Sequence, residues 1–284
     1  MVPFRMKKVF GQHFLRQVPQ ELLFPLDYLE KIQSLQRPTA IYLGEIGPGS
    51  GVVTKAILEQ ILPFSQLSFH YDLIDIDSDA IAATKEVVAG AALPKRISPN
   101  FVYKDVLKHD FSAISNYEFA YIFGSLPYNV SKKIVNACEQ NLLKFSPRTH
   151  FLPSRFIIQK EVADDFIASA PAATFLGNRL ALHAEYRRIT RKIPPGAFYP
   201  PPRVESAVLE IGWNNSLPVK VKASLAHITT IMRKGFSAKR KVLRSVFGKS
   251  LAHAPDQVSY LLHLRAHELS IAQWMLLADT LPSE

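Results

Sequence analysis

A single cysteine, Cys138, stands in 284 residues. It has no partner for an internal disulfide and no companions for a thiolate metal cluster. No apolar run approaches the roughly 18 residues that a membrane-spanning helix needs. The opening stretch MVPFRMKKVFGQHFL (1–15) is basic and lacks the apolar middle of a secretion signal, so a reducing cytoplasm is the expected setting. There are no internal repeats, and the proline-rich stretches LPSRF and IPPGAFYPPPRVES are connectors, not low-complexity linkers. HLRAH (263–267) sets two histidines at helical spacing without the glutamate of an H-E-x-x-H hydrolase. It reads as a wet helix face, and no metal is expected.

Acid is scarce beside base: 24 Asp and Glu stand against 34 Lys and Arg, a formal charge of +10. Such an excess suits a polyanionic partner. Residues 213–284 hold ten basic and four acidic residues, so they carry 10 − 4 = +6 of the total. The first twenty residues add Arg5, Lys7, Lys8 and Arg16 with no acid. Two basic segments flanking a balanced middle read as a nucleic-acid footprint, although a charge run alone is usually a solvated face.

Hydrophobic residues make up 48% of the chain, enough for a large core. AIYLGEI (40–46), YDLIDID (71–77), NFVYKDV (100–106) and FAYIFGSL (119–126) read as strands. Helices are expected at 51–62, from Ser78 as a cap, and from near Ser131. RFIIQK (155–160) and VESAVLEIG (204–212) read as later strands, and from about 219 only helical periodicity remains. Alternation with short links predicts an α/β fold, an open and largely parallel sheet covered by helices.

Ligands in such sheets sit beyond the carboxyl ends of the strands. The first strand ends in EIGPGSG, with Glu45, Gly47, Gly49 and Gly51. Glycines there let backbone N–H groups approach a ligand. The spacing differs from the G-x-G-x-x-G of dinucleotide binders. Asp75 ends the second strand, where a carboxylate can accept both hydroxyls of a ribose. Asp105 closes the third and could accept from the exocyclic amine of an adenine. Three ligand-like strand ends in a row point to a nucleoside cofactor.

The fourth strand runs into GSLPYNVS (124–131). Methyltransferases that use S-adenosylmethionine on base-conjugated amines often carry a small polar residue, an apolar residue or proline, then proline and an aromatic. Adenine's amine is a poor nucleophile because its lone pair is delocalised into the ring. Acceptors at its two N–H bonds, here the Ser125 side chain and the Leu126 carbonyl, favour a pyramidal nitrogen. Pro127 stiffens the loop. Tyr128 can stack on the base near the cationic donor. The plainer alternative is a proline turn with a core tyrosine.

KKVFGQHFL (7–15), EIGPGSGVVT (45–54), LIDIDSD (73–79), YKDV (103–106), GSLPYNVS, FIIQKEV (156–162) and PPGAFYPPPRVESAV (194–208) together resemble the small-subunit rRNA adenine dimethyltransferases, the kasugamycin-resistance methyltransferases. The stretches span about three quarters of the chain, and the basic tail is similar to that family's small helical domain. The resemblance implies a seven-stranded Rossmann-like domain (1–212) that uses S-adenosylmethionine, and a helical RNA- or subunit-binding domain (213–284). It implies four methyl transfers to two adjacent adenines near the 3′ end of the rRNA of an immature small subunit, by a monomer. Cofactor contacts are implied at His13, Leu15, Gly47, Gly49, Asp75, Asp105 and Ser125. The target base would sit at Ser125, Leu126, Pro127 and Tyr128, with Phe156 on its other face. His13 and Ser125 both stand where the family usually has Asn. Two alternatives stay open: the related macrolide-resistance enzyme of the large subunit, and a non-catalytic RNA-binding factor on the same fold.

Overall fold

The structure is a computed structural model, and it describes residues 13–145, 148–214, 219–251 and 255–281. The stretch 7–12, the start of KKVFGQHFL, lies outside the described residues. In chain order the elements are β1 (Phe14–Leu15), α1 (Leu26–Gln33), β2 (Thr39–Ile46), α2 (Val52–Ile61), β3 (Leu67–Asp75), α3 (Ser78–Ala89), β4 (Ile97–Tyr103), β5 (Phe119–Ser125), α4 (Ser131–Phe145), β6 (His150–Phe151), β7 (Ser154–Gln159), α5 (Lys160–Ile167), α6 (Phe175–Ala181), β8 (Ala184–Ile193), β9 (Phe198–Tyr199) and β10 (Ser206–Trp213). They continue with α7 (Val219–Phe236), α8 (Arg244–Phe247), α9 (Asp256–Ser259) and α10 (Ile271–Thr280). None of the described helices is long and apolar enough to cross a membrane.

Two compact units emerge: residues up to Ala163 with Arg188–Asn215, and Asp164–Arg187 with Ser216–Glu284. The second unit thus takes in a segment from the middle of the chain as well as the basic tail.

In the first unit the sheet runs β4-β3-β2-β5-β7-β10-β8, with β6 paired to β5. β2 pairs in parallel with both β3 and β5, and β5 in parallel with β7, while β10 runs antiparallel to β7. β2 is buried along nearly its whole length. That is why TAIYLGEI reads as a continuous apolar run and not as an alternation. Chain order departs from β2 in both directions, toward β3 on one side and β5 on the other. The carboxyl end of β2 is therefore a topological switch point.

β8 was not expected. Its sequence, AEYRRITRKI, carries four basic residues, and most of its positions are partly or fully exposed. A buried acid holds it in the sheet. Glu210 of β10, 1% exposed, accepts from Arg155 Nε of β7 at 2.7 Å and lies 2.6 Å from Arg188 Nη2 of β8. Its carboxyl sits below the usual range despite burial, because the two guanidiniums favour the anion. Of the polar residues expected to cap α3, Asp77 does so: its carboxylate accepts from the Asp79 N–H at 3.0 Å, while Ser78 is already helical.

The second unit has its own core, in which Met232 and Phe236 of α7 join Leu277 and Trp274 of α10. Arg233, Lys234, Lys239, Arg240, Lys241, Arg244, Lys249 and Arg265 are all exposed.

Candidate active site

A cavity of about 230 Å³ lies at the switch point, entirely within the first unit. The ends of β2, β3 and β5 and the turn after β4 deliver its walls, because their register brings Ile46, Ile74 and Gly124 level. Gly47 follows at φ +72, and a Cβ there would sit 3.2 Å from the Ser125 carbonyl oxygen. Only glycine adopts that backbone without strain and lets the turn approach β5 so closely. Gly124 is tighter still: a Cβ would lie 2.1 Å from the carbonyl oxygen of Ile46. The two strand ends that frame the cavity are thus in backbone contact.

Beneath the turn, Glu45 is buried and accepts from Thr54 Oγ1 at 2.8 Å and from the Tyr71 hydroxyl. Burial pushes its carboxyl up to about 7, against the pull of both hydroxyls. Glu45 does not line the cavity; it ties β2 to α2 and β3 under the glycine turn. Asp75 does line it. One of its oxygens accepts from the Asp77 N–H at 2.9 Å, the other from the Gly49 N–H at 3.4 Å. Burial raises its carboxyl to about 6, although those amides favour the anion. The helix cap at α3 belongs to Asp77, so Asp75 is not needed there.

Asp105 also lines the cavity. It sits two residues past the end of β4 and caps a short 3-10 turn, accepting from the Leu107 N–H at 3.0 Å. The strand read as reaching 106 ends at Tyr103: its partner β3 ends at Asp75, whose carbonyl takes the last ladder bond from the Lys104 N–H.

Ser125, Leu126, Pro127 and Tyr128 line the opposite wall. The Leu126 N–H is held by the Ile157 carbonyl at 2.9 Å. Tyr128 is held twice. Its hydroxyl lies 2.5 Å from Ser206 Oγ, and the His13 ring stacks on it with centroids 5.3 Å apart and planes 29° from parallel. Burial raises the Tyr128 phenol above its ordinary value, so it is neutral at physiological pH. His13 is fixed in turn by Nδ1, 2.8 Å from the Pro200 carbonyl oxygen.

These partners come from a two-stranded ribbon. β1 pairs antiparallel with β9, Phe14 opposite Tyr199 and Leu15 opposite Phe198. His13–Leu15 and the FYPPPRVES stretch thus meet, although more than 180 residues separate them. His13, Leu15, Gly47, Gly49, Asp75, Asp105 and Ser125–Tyr128 all line the one cavity. Phe156 does not: it is fully buried in β7, opposite Gly124 and Leu209. Phe14, Lys104 and Phe198 line the cavity and were not singled out from the sequence. A signal for all three was present, since Phe14, Lys104 and Phe198 lie inside the motifs that carried the resemblance.

A family described as ribosomal RNA adenine dimethylase matches residues 4–282. A protein of Xanthomonas euvesicatoria pv. vesicatoria named ribosomal RNA small subunit methyltransferase A is 29% identical over 277 residues, covering 96% of this chain and 95% of that protein. A relative of the same name from Xanthomonas oryzae pv. oryzae is 28% identical over 284 residues, covering 98% and 97%. Among solved structures, a dimethyladenosine transferase from Plasmodium falciparum matches with a TM-score of 0.64 at 20% identity, over 93% of this chain and 96% of that one. The 23S rRNA methyltransferase ErmE matches with a TM-score of 0.62 at 18% identity, over 94% and 99%. These likenesses establish the Rossmann-like class I methyltransferase fold. With a cavity of this construction and a family match over nearly its whole length, the chain belongs to the ribosomal RNA adenine dimethylase family, enzymes that take their methyl groups from S-adenosylmethionine.

Proposed function

We propose that this protein dimethylates the exocyclic N6 of two adjacent adenines near the 3′ end of small-subunit rRNA, on an immature subunit in the cytoplasm and as a monomer. One observation carries the reading. Asp75 on one wall and Ser125–Tyr128 on the other share a single cavity. A nucleoside cofactor and an amine can therefore meet there.

The residues present suit the cofactor. Gly47 and Gly49 let the turn pack closely on Ser125 and Phe14 in the cavity wall, and Asp75 presents a partly buried carboxylate beside them. When bound, S-adenosylmethionine supplies a sulfonium methyl for attack. Asp75 accepts from the ribose hydroxyls, and Asp105 accepts from the exocyclic amine of the cofactor's adenine. Leu15 adds apolar surface. His13 supports Tyr128 through the stack. Ser125 Oγ and the Leu126 carbonyl accept from the target amine and orient its lone pair. Pro127 keeps both acceptors in place before reaction. Tyr128 stacks on the flipped base, its ring fixed by Ser206 and His13. The exposed cations of the second unit, with Lys239, Arg240 and Lys241 at their centre, bind RNA phosphates. Catalysis thus falls to the part of the chain up to about 212, and subunit binding to 213–284.

The small-subunit names of the Xanthomonas relatives favour that substrate over large-subunit rRNA. Asp75, Asp105, Pro127 and Tyr128 lining one cavity favour an enzyme over a non-catalytic RNA-binding factor. The test is transfer from labelled S-adenosylmethionine to undermethylated small subunits, with naked rRNA as control and mass spectrometry of the digested RNA. Dimethyladenosine at two neighbouring positions is expected, and Ser125→Asn should keep or raise its ratio to the monomethyl form. Label confined to large-subunit rRNA, or absent, would overturn the reading.

A further inference from the structure

We infer that Tyr199, with Arg16 beside it, forms a stacking subsite for the nucleotide next to the target adenine; the inference rests on the RNA substrate proposed above. The ribbon of β1 and β9 is part of the cavity wall, since Phe14, Leu15 and Phe198 line it. Residues directly opposite in an antiparallel pair project to the same face. Tyr199, opposite Phe14, therefore shares the Phe14 face of the ribbon and stands next to the cavity without lining it. Arg16 follows directly on the end of β1, and its guanidinium reaches the Tyr199 ring.

Tyr199 is 57% exposed, whereas its neighbour Phe198 is 1% exposed. Phe198 belongs to the core cluster, whereas Tyr199 does not. What accompanies the ring is a cation. The Arg16 guanidinium lies over it, 5.6 Å from the centroid, with Nε directed at the Phe198 carbonyl oxygen at 3.4 Å. The Arg16 N–H bonds the Ala197 carbonyl at 2.9 Å, so the backbone beneath the pair is fixed as well. An exposed ring with an arginine alongside offers what one nucleotide of a single strand presents: a π face to stack on and a phosphate to neutralise.

Its place directly after the cavity-lining residues Leu15 and Phe198 gives this a purpose. Drawing one base into the cavity breaks its stack with the neighbouring base and bares that neighbour's face. A ring beside the cavity recovers part of the lost stacking and holds the strand in register. Tyr199 would thereby bind substrate without touching the cofactor.

The test uses the full chain and undermethylated small subunits. Tyr199→Ala should raise KM for subunits by about 5- to 150-fold, the effect of one lost base–aromatic stack. It should leave the affinity for S-adenosylmethionine unchanged. Tyr199→Phe should restore the wild-type KM, since the ring and not the hydroxyl does the stacking. A photo-crosslinking benzoylphenylalanine at position 199 should then crosslink to the nucleotide adjoining the methylated pair. A wild-type KM in Tyr199→Ala, or a crosslink elsewhere on the rRNA, would overturn the subsite. Transfer by the wild type is read in the same assay. Its absence would sink the parent reading and this inference together, whereas an active wild type with an unaltered Tyr199→Ala would sink this inference alone.

Discussion

The glycine-turn wall and the GSLPY wall of the cavity are put together in different ways. Gly47, Gly49 and Asp75 belong to two successive strand–turn–helix units, and Asp75 is held by the Asp77 amide two residues on and by the Gly49 amide of the neighbouring turn, 26 residues back. Tyr128 starts from a strand end as well, yet what holds its ring is remote: Ser206 is 78 residues away, and His13 reaches it only because β1 docks on β9. Nucleoside recognition can be encoded locally, since a turn and a carboxylate suffice. A base platform must hold a flat ring at a fixed angle, and that takes supports from several directions.

If the walls are separable in this sense, most substitutions should damage one and spare the other. Gly124 is the exception and should give the largest effect. A Cβ there would press on the Ile46 carbonyl at 2.1 Å, so the strand ends carrying both walls must part. Gly124→Ala should cost about 3 kcal/mol of stability, read by denaturant unfolding, and lower cofactor affinity and turnover together. Tyr128→Ala comes next. Turnover on small subunits should fall by the loss of a stack worth roughly 1–3 kcal/mol. Tyr128→Phe keeps the ring and loses only the bond to Ser206, so its deficit should be about 1 kcal/mol.

A smaller effect separates the walls by pH. Asp75 titrates near 6, and its ionised form is the acceptor. The competent fraction drops about tenfold between pH 7 and pH 5, and calorimetric affinity for the cofactor should drop with it. The stability of the free protein should move the other way. Asp75 and Glu45 are raised from 3.8 and 4.5 to about 6 and about 7. Their contribution is fully present below the unfolded values and is lost as pH rises through the folded ones. Thermal melts of the free protein should therefore show these two groups favouring pH 5 over pH 8.

The same contrast between local and remote explains what could be read in the residue order. Strands ending at Ile46, Asp75 and Ser125 were legible because a buried parallel strand is a run of apolar residues closed by a turn. So were the acids at their ends. β1 and β9 were not, since two-residue strands exist only through each other. The charged edge strand β8 was missed because its anchor, Glu210, lies in another strand. Phe156 looked available for stacking in a motif, but its register opposite Gly124 and Leu209 buries it. His13 matched by position a cofactor contact of the family. In the structure its ring packs on Tyr128, a contact that no pattern of spacing contains.

Calorimetry of S-adenosylmethionine binding to Asp75→Ala and Tyr128→Ala, side by side, tests the two-wall account most directly. Asp75→Ala should bind the cofactor roughly 10- to 150-fold more weakly, the worth of hydrogen bonds to a charged group, while Tyr128→Ala binds as the wild type does. Equal losses in both variants, or an unaffected Asp75→Ala, would contradict it.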